Sequence, residues 1–326
     1  MPLNISIIGL DLLGSSLGLA LGTLDQEALP TGRPVITGWD KNRRTLQDAR
    51  GRLMIDREAR DLADAVREAD LIFVSVPPAE LAETFSAIAP HVKHGTVVSD
   101  VSSTKTQVLQ LASEVLPRTV DFIGGHPLLS YTGKRPSKPS IDLFKGAIYC
   151  LVSSVHAQPN AINTMDLLVT AIGAKPYYID AVEHDAYIGG VDHLPQLLAI
   201  ALMEAVSRSS GWREMQAIGS TSFGAMVDLA GSDPEQSRAI AQSNSEAIER
   251  WLNDLIRVLV EIRDNLSHPD QLEAIFNHAR DAHAQWATSQ PNMRPGESDF
   301  YGQDDAVIDR SLGSMLFGRR KPRRKS

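Results

Sequence analysis

Residues 4–14 read Asn4-Ile5-Ser6-Ile7-Ile8-Gly9-Leu10-Asp11-Leu12-Leu13-Gly14. An apolar, β-branched run leads straight into a loop with glycines at its first and last positions. This is the strand–loop–helix opening of a dinucleotide-binding fold, whose loop ordinarily carries Gly-x-Gly-x-x-Gly. The first glycine permits the tight turn, and the third lets helix pack closely on strand. The middle one lets the backbone approach a pyrophosphate, and here it is Asp11. A carboxylate there brings bulk and like charge towards phosphates. The fold signal survives, and the expected dinucleotide binding is weakened. Gly9, Asp11, Leu12, Leu13 and Gly14 are the loop residues expected along the cofactor.

Outward from this loop, apolar runs alternate with helical patterns. Strands are expected at 4–8, 35–39, 70–76, 96–100, 120–124, 147–152 and 176–179. Helices are expected at 14–24, 57–67, 79–88, 105–115 and 160–171. Strand–helix–strand alternation predicts an α/β, Rossmann-type doubly wound parallel sheet. Nearly continuous apolar strands such as Leu71-Ile72-Phe73-Val74 fit burial on both faces. After about residue 180 only helical period remains, over 185–209, 234–266 and 269–287. Asp233-Pro234-Glu235 reads as an N-cap, a first-turn proline and an acidic first turn. The expected organisation is a dinucleotide-binding domain over 1–180, an all-helical substrate and dimerisation domain over 181–289, and an irregular extension over 290–326 with a basic tail.

The chain has 326 residues, 43% hydrophobic and 22% charged, the composition of a globular protein. Its one cysteine, Cys150, excludes an internal disulfide framework and reads as a buried thiol in an apolar run. No stretch has a secretory signal pattern, and a cytoplasmic location is expected. The net charge is −8, although the last eight residues carry six positive charges. That tail lacks interleaved aromatics and reads as solubilising, so neither nucleic acid nor membrane is an expected partner.

Four further places could carry chemistry. Asp40 ends the second strand, where an acidic residue binds the adenosine ribose and favours NAD. Lys41, Arg43 and Arg44 follow it and could hold the 2′-phosphate of NADP, so the choice of cofactor stays open. Val76-Pro77-Pro78 forms a stiff turn that would run beside the nicotinamide, and Asp100 ends the next strand. Ser102 to Lys105 lie at the carboxyl edge of the sheet, where open α/β folds bind ligands. Gly124-Gly125-His126-Pro127 ends a fifth strand and places His126 as a general base. In the helical half, His184 and Asp185 read as a cap or an interface, whereas His193 reads equally as substrate contact or structure. No compact histidine and carboxylate spacing marks a metal site.

Taken together these motifs resemble the prephenate/arogenate dehydrogenase family of tyrosine biosynthesis, over about residues 4–265. The resemblance rests on Asp100-Val101-Ser102-Ser103-Thr104-Lys105, Gly124-Gly125-His126-Pro127, His184-Asp185, His193-Leu194-Pro195 and Gly231-Ser232-Asp233-Pro234. It implies a Rossmann domain, a helical domain that builds a homodimer, and oxidative decarboxylation with NAD or NADP. It also implies His126 as the base, Ser103 as the serine orienting base and substrate hydroxyl, and His193 as a substrate-side histidine. The family commonly has a glutamate where this chain has Thr132. It usually has a carboxylate-gripping arginine where this chain has Asp228, with Lys134, Arg135 and Lys138 as candidate replacements. These departures leave two alternatives open: a same-fold dehydrogenase with a different, less anionic substrate, or a non-catalytic nucleotide-binding or regulatory relative.

Overall fold

The computed structural model describes residues 2–129 and 136–289. Thr132, Lys134, Arg135 and the basic tail lie outside the described residues. The strands are β1 (Asn4–Ile8), β2 (Val35–Trp39), β3 (Arg57–Glu58), β4 (Leu71–Val74), β5 (Val97–Asp100), β6 (Asp121–Leu128), β7 (Ile148–Ser153) and β8 (Lys175–Tyr178). They form one sheet in the order β3-β2-β1-β4-β5-β6-β7-β8. The order reverses at β1 and β4, which opens a ligand crevice outside the carboxyl ends of those strands.

The helices of the first half are α1 (Leu12–Gly22), α2 (Arg43–Gly51), α3 (Leu62–Val66), α4 (Leu81–Ile88), α5 (Thr106–Val115) and α6 (Pro159–Ala171). Those of the second are α7 (Ala181–Ile188), α8 (Leu194–Ser207), α9 (Trp212–Ile218), α10 (Thr221–Val227), α11 (Pro234–Ser243), α12 (Ser245–Asp264) and α13 (Pro269–Ser289).

Alternate residues of the central strands feed two cores, one on each face. Leu71 and Phe73 of β4 pack with Leu17, Leu21 and Met165 on one side. Ile72 and Val74 pack with Phe85, Ile88 and Phe122 on the other. Each such side chain contributes roughly 1.5–3 kcal/mol by leaving water. This two-faced burial is why the strands read as continuous apolar runs.

The structure departs from the sequence reading in several places, and α9 and α10 fall between the helices expected at 185–209 and 234–266. Residues 57 and 58 are an edge strand rather than the start of a helix, and α3 begins only after the Asp61 side chain caps the Asp64 amide. An N-cap by Asn42 starts α2, which strand–helix periodicity had not indicated. β7 runs antiparallel to β6, against the all-parallel expectation, and β8 then pairs parallel to β7. The helix expected over 234–266 is broken at Asn244, the C-cap of α11.

Residues 181–207 form one continuous helical stretch of 27 residues with a wide π turn at Gly189–His193. By length and composition alone it could cross a membrane. It also carries His184, Asp185 and His193, all buried and all hydrogen-bonded within the fold. Side chains from the later helices brace this stretch: the Asp185 carbonyl, which already accepts the Gly189 amide, also accepts from Asn244 Nδ2 at 2.8 Å, and that of Ala186 accepts from Trp251 Nε1 at 2.8 Å. Gly190 lets the indole approach, since a Cβ there would lie 2.6 Å from Trp251.

Contacts divide the chain into a compact unit, Met1–Ile256, and a second that begins at Arg257. The first unit runs through the boundary expected at 180/181, because Asp185 of α7 accepts the backbone amides that start α5.

Candidate active site

At the crevice, Gly9 takes φ +85°, and a Cβ there would lie 2.1 Å from the Ser75 carbonyl. A Cβ on Gly14 would lie 2.0 Å from the Gly9 carbonyl. Both glycines are therefore fixed by backbone contact alone. Asp11 lies between them as the N-cap of α1. Its Oδ1 accepts from the Gly14 amide at 2.9 Å and from Ser75 Oγ at 2.7 Å. The residue is exposed overall, but its carboxyl turns inward. Burial raises its pKa, against the lowering effect of those hydrogen bonds. The expectation that Asp11 extends towards phosphates is thus modified: its carboxylate already sits on a helix-terminal N–H, the group that binds a pyrophosphate in this fold.

Asp40 follows β2 as expected. Its Oδ2 accepts from the Leu10 amide at 2.8 Å and its Oδ1 from the Asn42 amide at 2.7 Å. Lys41 is paired with Glu80 at 2.5 Å. Val76, Pro77 and Pro78 follow β4 at the crevice, and Leu12 and Leu13 are half-buried in the first turn of α1. These residues fit a nicotinamide dinucleotide, with the Asp11 carboxylate as the one competing anion. Asp100, also expected at the cofactor, is fully buried instead. Its Oδ2 takes Lys105 Nζ, the Ser102 hydroxyl and the Ser102 amide, and its Oδ1 takes the Gly125 amide at 3.2 Å. Both oxygens are committed inside the fold, so its part is to hold the loop after β5 against β6.

This cluster also sets the place of His126. β6 pairs with β5 only at Asp121 and Phe122, and runs on past the end of its neighbour. Gly124 and Gly125 permit the close approach: a Cβ on Gly124 would lie 2.9 Å from Lys105 Cδ, and one on Gly125 would lie 2.6 Å from the Asp100 carbonyl. His126 then lies beyond β5, buried, opposite Cys150 in the antiparallel ladder. Burial, followed by the nearby His184, Lys105 and His193, holds its pKa well below the ordinary imidazole value. Cys150 is a buried free thiol with a pKa pushed up to about 11 by burial.

Two residues read from sequence as a cap or interface belong to this site. His126 Nδ1 lies 3.0 Å from His184 Nε2, and His184 Nδ1 lies 2.8 Å from Asp185 Oδ1. Asp185 also accepts the Lys105 amide at 2.7 Å and the Thr106 amide at 2.8 Å. Burial pushes the Asp185 carboxyl up, but bonds from His184, Thr106 and Lys105 outweigh it and hold the pKa below the usual carboxylate value. Asp185 thus accepts the amides at the start of α5, and the same carboxylate supports His126 through His184. The adjacent His184-Asp185 pair was the only sequence signal.

His193, at the end of the π turn, is 1% exposed. Its Nδ1 lies 3.2 Å from Asn244 Nδ2, and its buried Nε2 has no hydrogen-bond partner among the described residues. Burial lowers its pKa, against the opposite pull of Asp192 and Asp185. Ser103 is half-buried, and its hydroxyl makes no hydrogen bond among the described residues. Asp228 and Lys138 are exposed. Among the described residues no three His, Cys, Asp or Glu side chains gather as a metal site.

Comparison with known proteins places this geometry. Residues 30–178 match the nucleotide-binding domain of prephenate dehydrogenase, and residues 180–279 match its dimerization domain. Cyclohexadienyl dehydrogenase of Zymomonas mobilis is 26% identical over 82% of this chain and 89% of its own length. Prephenate dehydrogenase of Bacillus subtilis is 25% identical over 91% of this chain and 80% of its own. The structure of A. aeolicus prephenate dehydrogenase in complex with hydroxyphenyl propionate and NAD+ shares the fold. It has a TM-score of 0.78 and 19% identity, covering 87% of this chain and 98% of that one. With both of its halves matched by the two domains of one enzyme family, the chain belongs to the prephenate dehydrogenase family.

Proposed function

We propose that the protein is an NAD(P)-dependent dehydrogenase that oxidatively decarboxylates prephenate or arogenate, with His126 as the general base. The observation that carries this reading is the state of His126: buried, kept neutral by its surroundings, and supported at Nδ1 so that Nε2 remains available. A bound nicotinamide dinucleotide would supply the hydride acceptor. Gly9, Asp11, Leu12, Leu13 and Gly14 would line its pyrophosphate, Asp40 its adenosine ribose and Val76–Pro78 its nicotinamide side. His126 takes the proton of the ring C4 hydroxyl as the C4 hydride departs. Loss of the ring carboxylate as carbon dioxide then completes aromatisation. Ser103, with its free hydroxyl, orients that hydroxyl against His126, and His193 meets an oxygen of the substrate through Nε2.

The proposal includes a division of labour at 180/181 and a homodimer built by the helical half. Leu259, Phe276 and Trp286 are each at least half exposed on α12 and α13, as a subunit interface requires. A cytoplasmic location accords with the free thiol of Cys150. Asp228 favours arogenate over prephenate, because a carboxylate attracts the ammonium group that arogenate carries where prephenate has a ketone. The test is to incubate purified protein with each substrate and with NAD or NADP, following absorbance of the reduced nicotinamide. Turnover with at least one combination is expected. None with any of the four would overturn the reading in favour of a non-catalytic relative.

A further inference from the structure

We propose that the fold locks the two buried histidines of this site in opposite tautomers, His126 as Nδ1–H with a bare Nε2 and His193 as Nε2–H with a bare Nδ1. His184, Asp185 and Asn244 are the positioning residues that do so. The roles of the two histidines rest on the dehydrogenase reading; the tautomers follow from hydrogen-bond geometry alone.

The first lock starts at the α5 amides. Lys105 N–H and Thr106 N–H donate to Asp185, which fixes that carboxylate as an acceptor. Asp185 Oδ1 therefore accepts from His184 Nδ1–H at 2.8 Å. A neutral imidazole protonated at Nδ1 has a lone pair at Nε2. His184 Nε2 can then only accept, and the atom 3.0 Å away, His126 Nδ1, must donate. His126 Nε2 is left as the basic atom. When it takes a proton, the imidazolium donates its Nδ1–H towards His184, and the positive charge is drawn towards the Asp185 carboxylate. The titratable groups around His126 are His184 and Asp185 from α7, Lys105 and Asp100 from the start of α5 and the end of β5, and His193 from the π turn. Lys105 is held against Asp100, so Asp185 is the carboxylate facing the histidine pair.

The second lock starts at a backbone carbonyl. The Asp185 carbonyl can only accept, so the Asn244 atom 2.8 Å from it is the amide nitrogen. That nitrogen has a second hydrogen, which points to His193 Nδ1 at 3.2 Å. His193 Nδ1 must accept, and the proton of the neutral ring lies on Nε2. This is the buried atom without a hydrogen-bond partner among the described residues, and Asp192, the nearest carboxylate, is 3.9 Å away. A buried N–H without an acceptor calls for one, and a carboxylate or carbonyl oxygen of the substrate is the ligand chemistry that supplies it. One histidine thus offers a lone pair and the other a proton.

The test uses the full-length protein without cofactor or substrate, labelled with ¹⁵N-histidine, at a pH above the imidazole range. Long-range ¹H–¹⁵N correlation spectra report the tautomer of each ring, and His126→Asn and His193→Asn assign the two signals. Nδ1–H at His126 with Nε2–H at His193 is expected; either ring in the other tautomer overturns the proposal. This result is independent of turnover, so it can fail while the dehydrogenase reading stands, and the reverse. His184→Leu removes the acceptor and should lower kcat by at least about 10²-fold, the scale of a mis-set base, with little change in cofactor affinity. His184→Gln restores an amide oxygen to accept His126 Nδ1–H and should recover part of that loss together with the Nδ1–H signal. Equal loss in both variants, with the His126 signal unchanged, would reduce His184 to packing. Asn244→Ala should disturb the His193 signal and raise KM more than it lowers kcat, while leaving the His126 signal in place.

Discussion

The two ends of this site are built in opposite ways. The loop between β1 and α1 is a local device: Gly9, Asp11 and Gly14 lie within six residues, and their constraints are visible in the sequence itself. The histidine end is assembled over distance. His126 meets His184 across 58 positions, and His193 meets Asn244 across 51. The loop keeps its architecture but carries a charge its usual task does not favour. The histidine end draws on several separate segments, and the atoms that orient its rings have defined partners. Backbone geometry therefore survives a change of side chain, whereas chemistry depends on pairings that only the fold creates.

The largest test of this contrast is His126→Asn. Asn cannot act as a base near neutral pH, and a positioned base contributes about 10²–10⁴-fold. Turnover should fall by that factor, while calorimetry should give unchanged dinucleotide affinity, because the residue is remote from the glycine loop in the sheet order. In wild-type enzyme the acid limb of kcat/KM should lie below about 6.5, the ordinary imidazole pKa. Burial lowers the His126 pKa, so the base stays neutral and competent to a lower pH than a solvated histidine would. A limb at or above the ordinary value would mean that another group titrates.

A smaller effect is expected at the loop. Asp11→Gly frees the Gly14 amide and removes a like charge beside the pyrophosphate, so dinucleotide affinity should rise roughly tenfold. Loss of the N-cap should cost only a few tenths of a kcal/mol, since glycine is itself tolerated at that position. The turn at Gly9 is set by its own φ and by Ser75, so the substitution leaves the loop backbone in place. Unchanged affinity by calorimetry would show that Asp11 and the cofactor do not compete.

How far the sequence alone could be read follows the same divide. The central strands were legible because each feeds two cores with alternate residues, which writes burial directly into composition. The position of His126 was partly legible: its two preceding glycines do mark a close approach, but β6 runs on through Pro127 to Leu128 instead of ending before it. His184 and Asp185 were visible only as a cap or an interface, since the partner that ties them to the site, His126, lies 58 positions away on β6. Asn244 gave no signal, because its partners, the Asp185 carbonyl and His193, lie 59 and 51 positions away in the chain. Asp100 misled for a related reason: its position at a strand end is that of a ligand contact, but Lys105 folds back to bury it. β3 was hidden because a two-residue edge strand has no periodicity.

The smallest effect concerns the charge state of Asp11. Burial raises its pKa above the usual value, so the group gains its proton earlier than a free aspartate as pH falls. The sign follows from linkage: the fold favours the protonated form, and its contribution to stability is present at low pH and lost as pH rises through the folded pKa. A neutral Asp11 no longer opposes a pyrophosphate. Wild-type affinity for the dinucleotide should therefore improve on acidification, by at most the roughly tenfold gained in Asp11→Gly. Asp11→Asn keeps the capping side chain without the charge, so its affinity should be higher at neutral pH and flat over the same range. Titration calorimetry of the two proteins in parallel separates charge from bulk. A flat wild-type profile alongside a tighter Asp11→Gly would assign the loop's handicap to the volume of the side chain instead.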